Sequence, residues 1–164
     1  MRSSAGYTLI EVLIVVGLIG IVTAISVPVF IESTARNRAW TASESIGAQI
    51  RQTRLRAISR NTTFQVRFDC PGPGQFRSLV MTGDPLIDDD VNRCNDTLDL
   101  DSGTFDMPSG VSYDTGGLVL QVTGRGIYSS TGGHGIPETI TVSYGTSSRT
   151  LTVSATGQIT FSSY

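Results

Sequence analysis

Residues 6–31 read GYTLIEVLIVVGLIGIVTAISVPVFI, and the only charge in this run is Glu11. The 20 residues from Val12 to Ile31 carry none. At about 1.5 Å per residue they span roughly 30 Å, the thickness of a bilayer hydrocarbon core. The run therefore predicts a membrane helix over residues 7–31. An ordinary secretory signal would have a shorter apolar core with a small-residue cleavage site behind it, whereas here the polar preface is only Met1–Gly6.

Two details set this segment apart from a plain anchor. An ionised carboxylate at bilayer depth costs about 2.5–3.5 kcal/mol even on the most lenient insertion scale, so Glu11 calls for a cationic partner. A cut between Gly6 and Tyr7 would supply one. It would create an α-ammonium four residues before Glu11, about 6 Å along a helix. In a stack of identical stems the amine of the adjacent subunit would serve equally, so that neutralising the pair in lipid favours and registers assembly. A carboxylate in the first turn also suits the helix dipole. Gly20 and Ala24, with Gly17 nearby, offer small surfaces where neighbouring helices can approach.

The hexad Gly6-Tyr7-Thr8-Leu9-Ile10-Glu11 with its apolar tail resembles the class III prepilin signal of type IV pilins and type II secretion pseudopilins. The resemblance implies cleavage after Gly6 by a prepilin peptidase, methylation of the new Tyr7 amine, and guidance of subunit addition by Glu11. Pro28 matches the family's kink proline. Tyr7 stands where the family usually has Phe, so an aromatic ring is kept. The implied fold class is α+β, with a long stem helix kinked near Pro28 and packed on a C-terminal antiparallel β head. The implied location is the bacterial inner membrane, with a single pass and a periplasmic head, and afterwards a periplasmic pseudopilus or a pilus tip. The implied partners are other minor and major pilins or pseudopilins, the prepilin peptidase, the inner-membrane assembly platform and membrane lipid.

Beyond Pro28, small or apolar residues recur at Ala35, Ala39, Ala42, Ile46, Ile50, Thr53 and Ala57. Their steps of three and four mark one face of a helix that continues to about residue 61, making 32–61 an amphipathic segment that leans on the head. From Thr62 the period becomes two, and Phe64, Val66 and Phe68 alternate with Gln65 and Arg67 as a half-buried strand. Further strands are predicted at 76–82, 111–113, 118–123, 138–144, 149–154 and 158–162, the last three forming an antiparallel meander within a β-rich head of residues 62–164. The late strands, Leu118–Gly126, Ile140–Val142 and Leu151–Ile159, resemble the H-type minor pseudopilins (GspH) and the FimT and FimU minor pilins. Residues 69–114 lie outside that resemblance, as an insertion.

Charge is segregated along the chain, and all 12 basic residues are Arg. Residues 32–60 carry six Arg against Glu32 and Glu44, for +4, while 69–114 carry ten Asp against Arg77 and Arg93, for −8. The net charge of −2 is not that of a polycation wrapping nucleic acid. The basic stem face is expected to be solvated or to meet an acidic loop of a neighbour, with acidic lipid head groups or nucleic acid as the alternative partners. The two cysteines, Cys70 and Cys94, are expected to pair in an oxidising compartment, closing a loop worth on the order of 3 kcal/mol. Inside it, Asp88, Asp90, Asn92, Asp96 and Asp99 imitate the ligand spacing of a calcium loop, with Arg93 where that loop needs Gly and Asp99 where it carries Glu.

No catalytic constellation is evident. The single histidine, His134, lies in Gly132-Gly-His-Gly135, a setting unsuited to holding a general base. There is no nucleophile elbow and no zinc-protease helix, and a Lys-terminated phosphate loop is impossible without Lys. The expectation is a structural subunit with no catalytic residue and no cofactor. The alternative is a FimT-like minor pilin that captures DNA. That family reads DNA through a G-R-x-R pattern near the C-terminus, where this chain has Gly157-Gln158-Ile159-Thr160, leaving Arg125 and Arg149 as the candidate cations.

Overall fold

The computed structural model describes residues 6–90, 92–131 and 136–163. One helix dominates it. α1 runs from Leu9 to Arg60, 52 residues, or about 78 Å, and Pro28 lies inside it. Lacking an amide proton, Pro28 leaves the Ala24 carbonyl without its ordinary helical donor. Thr8 caps the start, its side chain accepting from the Glu11 amide at 3.3 Å, and Asn61 in the left-handed region ends it.

The two halves of α1 see different surroundings. Every residue from 6 to 33 is exposed, and this half is long and apolar enough to cross a membrane. In the second half the buried residues are Ala35, Ala39, Ala42, Ser43, Ile46, Gly47, Ile50, Thr53 and Ala57. All seven positions of the predicted stripe are among them. This is the layout of pilin-like folds, a long N-terminal helix followed by antiparallel sheets.

The head is built from two sheets rather than one meander. The first has the order β3-β2-β1-β5-β6, with β1 Phe64–Phe68, β2 Gln75–Val80, β3 Phe105–Asp106, β5 Val119–Val122 and β6 Tyr128–Thr131. The second has the order β4-β7-β8-β9, with β4 Ser112–Asp114, β7 Glu138–Tyr144, β8 Ser147–Val153 and β9 Ile159–Ser163. β7, β8 and β9 do form the expected meander, and β4 adds to its edge. β3, β6 and the short helix α2, Pro85–Asp88, are additions to the predicted elements.

Both sheets turn their apolar faces to α1. Ile46 and Ile50 share one cluster with Phe64, Val66, Leu120 and Val122 of the first sheet and Ile140, Val142, Leu151 and Val153 of the second. Each such fully buried side chain contributes about 1.5–3 kcal/mol. Gly47 sets the closeness of the fit, because a Cβ there would stand 3.0 Å from Phe161 Cζ and 3.2 Å from Leu151 Cδ1. Polar ties pin the seam. Tyr128 Oη donates to the Ile50 carbonyl at 2.7 Å, Arg54 Nε to the Gly126 carbonyl at 2.9 Å, and the Thr53 and Ser78 hydroxyls bond each other. Burial raises the Tyr128 phenol well above its ordinary range.

The insertion is organised by two buried arginines. Arg77 donates to the carbonyls of Ser102 and Cys94 and to the Thr97 hydroxyl, fastening the loop to β2. Arg93 grips Asp101 with two bonds of 2.6 and 2.8 Å, and Asp101 also accepts from the amides of Val80 and Leu98. Cys70 and Cys94 form the expected disulfide, with Cα atoms 5.2 Å apart. Burial alone would raise the Asp101 carboxyl, but the hydrogen bonds from Arg93 and the two amides outweigh it and hold the group below its ordinary value. Arg93 is raised in turn, chiefly by its bond to Asp101.

Asp101 is thus ionised more readily in the folded chain than in the unfolded one. The stability it contributes is present above its ordinary value of 3.8 and is lost as pH falls through the lower folded value. A thermal melt of the disulfide-bonded protein followed against pH should show this acid-side decline. Asp101→Asn should flatten it while costing about 3–5 kcal/mol at neutral pH, because Arg93 is left buried without its counter-charge. Gly47→Leu should overpack the seam and lower stability by about 1–3 kcal/mol in denaturant unfolding; an unchanged midpoint would contradict the close approach.

Candidate functional site: the N-terminal signal and the head surface

The first turn of α1 places the signal residues. Thr8, Leu9, Ile10 and Glu11 have the sequence of a capping box, and the half in which the Thr8 hydroxyl takes the Glu11 amide is formed. Thr8 itself is extended, so Tyr7 precedes the helix rather than standing in its first turn. Tyr7 and Glu11 nevertheless border one shallow groove with Val12, Val15 and Val16. Tyr7 is 85% exposed, and Gly6 has open space around it. The bond between Gly6 and Tyr7 thus lies just outside the helix, with both residues exposed. A Cβ at Gly17 or Gly20 would meet nothing, so both leave bare backbone on the outer surface of the stem.

The stem arginines are largely engaged within the chain. Arg36 pairs with Glu32 at 2.9 Å, Arg51 with Glu44 at 3.7 Å, and Arg38 donates to Tyr144 Oη at 2.6 Å. Arg56 and Arg60 border a groove with Asp99 and Asp101 of the insertion. The acidic loop therefore meets the end of its own stem.

The candidate calcium residues are engaged within the chain. Asp88 is buried at the end of α2, and its carboxylate already accepts from the Thr82 amide and hydroxyl and the Gly83 amide. Asp90 caps the Asn92 amide, and Asp96 offers its carbonyl to Arg77 and Arg93. Asp99 faces the stem groove. Among the described residues no three of His, Cys, Asp and Glu are grouped to hold a metal. Arg93, the residue that replaces the turn glycine, brings a guanidinium into the middle of the segment, where it organises the backbone through Asp101.

The two candidate nucleic-acid cations differ in their surroundings. Arg149 is buried, with its guanidinium 3.5 Å over the Trp40 ring and 4.3 Å from the Phe161 ring, and Nη1 bonded to Ser43 and Glu44. It is a structural clamp between α1, β8 and β9. Arg125 is exposed in the turn between β5 and β6, and one cation is a slight footprint for a polyanion. His134 lies outside the described residues.

Two features escaped the sequence reading. Trp40 is 52% exposed, and its role as a lid on Arg149 depends on strands more than 100 residues away. α2 had a local signal, since Asp84 followed by Pro85 is an N-cap followed by a first-turn proline. Its exposed Leu86 and Ile87 give the insertion an apolar tip.

Residues 1–27 match the family model described as Prokaryotic N-terminal methylation motif. No curated protein and no solved structure matches the chain. The match covers Gly6, Tyr7 and Glu11 and takes in the first part of the apolar helix. The N-terminus of this chain is a class III signal of the type IV pilin-like kind.

Proposed function

We propose that this chain is a minor pilin or pseudopilin, a non-enzymatic structural subunit of a type II secretion pseudopilus or a type IV pilus. The observation that carries the reading is the methylation motif at residues 1–27 on a stem whose residues 6–33 have no protein cover. A prepilin peptidase trims the chain after Gly6 and methylates Tyr7. The stem holds the subunit in the bacterial inner membrane with its head in the periplasm, where an oxidising environment suits the Cys70–Cys94 bond. The assembly platform then moves it into a filament, and the exposed apolar half exchanges lipid for the stems of major and minor subunits. Glu11 serves registration: its carboxylate borders the groove beside Tyr7, so the trimmed amine of the same or an adjacent stem can neutralise it.

Gly6→Arg should leave a full-length, membrane-retained precursor, read by N-terminal sequencing that begins at Met1 instead of Tyr7. Normal trimming of that variant would refute the processing scheme. Glu11→Val should insert and be trimmed as usual but co-purify with partner subunits at about a tenth of the wild-type level, the equivalent of about 1.4 kcal/mol. Undiminished co-purification would remove the charge-pairing role.

A further inference from the structure

Where the head first meets the stem, the two enclose a groove. Ala35 is the first buried residue of the stripe on α1. There Tyr144 and Gly145, at the turn between β7 and β8, border an open groove of about 660 Å³ with Pro28, Ile31 and Ala35 of the stem. That volume lies within the range of about 300–1,000 Å³ usual for small-molecule sites. Arg38 gives the groove a polar end. It is exposed, its Nη1 donates to Tyr144 Oη at 2.6 Å, and its guanidinium carbon lies 4.9 Å from the centre of the Tyr144 ring.

No carboxylate meets the charge of Arg38. Among the described residues the ion pairs of α1 join Arg36 to Glu32, Arg51 to Glu44 and Arg149 to Glu44, whereas Arg38 has the neutral phenol of Tyr144. Glu32 also borders the groove, but Arg36 holds it at 2.9 Å. Arg38 has five N–H donors in all, and the phenol takes one of them. Because Tyr144 Oη accepts that bond, its own proton is left to give. Height along the stem matters as well. The uncharged run ends at Ile31, and Arg38 follows it by seven residues, about 10 Å. Helical side chains lean toward the N-terminus, here toward the membrane, and an arginine extends its charge along apolar surface. The guanidinium therefore reaches the headgroup layer, which is about 5–8 Å deep on each side of the hydrocarbon. Half-exposed Trp40 and Tyr144 add the amphipathic rings that favour the same depth.

We infer that this groove holds one acidic phospholipid of the periplasmic leaflet, its phosphate against Arg38 and the Tyr144 hydroxyl and an acyl chain running over Ala35, Ile31 and Pro28 into the bilayer. Two observations select this occupant. The groove is continuous with the uncovered apolar part of α1, since Pro28 and Ile31 belong to both, so a chain lying in it never leaves lipid. The unneutralised charge of Arg38 stands at the depth of the phosphates and calls for an anion there. A zwitterionic headgroup fits less well, because its ammonium would stand among Arg36 and Arg38. The site rests on the membrane reading of the stem given above, and it adds that the head is tied to the bilayer surface through its β7–β8 turn.

The sequence supplies its own probe. Trp40 is the only tryptophan of the chain and lies two residues from Arg38, so its emission reports on this site. Full-length protein is reconstituted in phosphatidylcholine vesicles that contain a fixed mole fraction of lipid with a nitroxide at the top of one acyl chain. The labelled lipid is phosphatidylglycerol in one set and phosphatidylcholine in the other. Labelled phosphatidylglycerol should quench Trp40 about fivefold more effectively, the preference one surface cation confers, and the difference should shrink as salt is raised. Arg38→Gln should abolish the preference without moving the thermal melt, since Arg38 is exposed. Arg38→Lys should keep it, and Arg60→Gln, about 33 Å further along α1, should leave it unchanged. Free glycerol phosphate should not reverse the quenching; if it does, the groove takes soluble anions and the lipid assignment falls. Equal quenching by the two labels, in protein that floats with the vesicles, overturns the site and leaves the membrane stem standing. Protein that does not float removes the stem reading and the site with it. Quenching that follows the protein-to-lipid ratio instead of the lipid type would mean that the stem of another subunit fills the groove, which also overturns the inference.

Discussion

A single helix has to satisfy two surroundings, and the rest of the molecule follows from that constraint. Along residues 6–33 no side chain of the protein covers α1, and its apolar surface is tolerable only in lipid or against other stems. Along residues 35–57 the same helix offers a narrow stripe of small and aliphatic side chains to two sheets. The changeover is sharp because the sequence changes from apolar all round to apolar on one face. The head is built around that stripe, with Ile46 and Ile50 at its centre and Gly47 allowing β8 and β9 to close on the helix.

Polar groups at the seam limit how the head can sit. Tyr128, Arg54, Thr53 and Arg149 each reach across from one element to another, and each would be costly to leave buried and unpaired. Arg149 shows the point most clearly. Its charge is stacked between two aromatic rings, and its Nη1 is bonded to Ser43 and Glu44. In the insertion the same economy applies. Arg77 and Arg93 satisfy carbonyls and one carboxylate that would otherwise require a metal or water, and the disulfide joins that loop to the residues after β1. What remains outside, Leu86 and Ile87 amid carboxylates, is the part of the insertion that internal packing does not use.

The methylation motif, the exposed apolar half of the stem, the buried stripe, the first strand, the final meander and the cysteine pair were all legible in the order of residues. They depend on local periodicity, on a short contiguous motif, or on there being just two cysteines to join. β3 and β6 were not legible, because each is a short strand whose hydrogen bonds come from a partner distant in sequence or from a tight turn around Gly124 and Gly126. The acidic spacing from Asp88 to Asp99 imitates a calcium loop only as a pattern along the chain. Spacing records which side chains could converge, and in the structure the Arg93 guanidinium is bound to Asp101 in the midst of that segment.

By itself the sequence determined that this chain carries a prokaryotic N-terminal methylation motif, one charge in the first turn of an apolar helix, and β structure after a helical stripe. Those are properties of neighbours along the chain, fixed by residue type and repeat. Only the tertiary structure decided that the β residues divide into two sheets and that Arg149 is buried under Trp40. Such facts depend on which distant elements pack together, and that choice is settled by burial and hydrogen-bond satisfaction over the whole head.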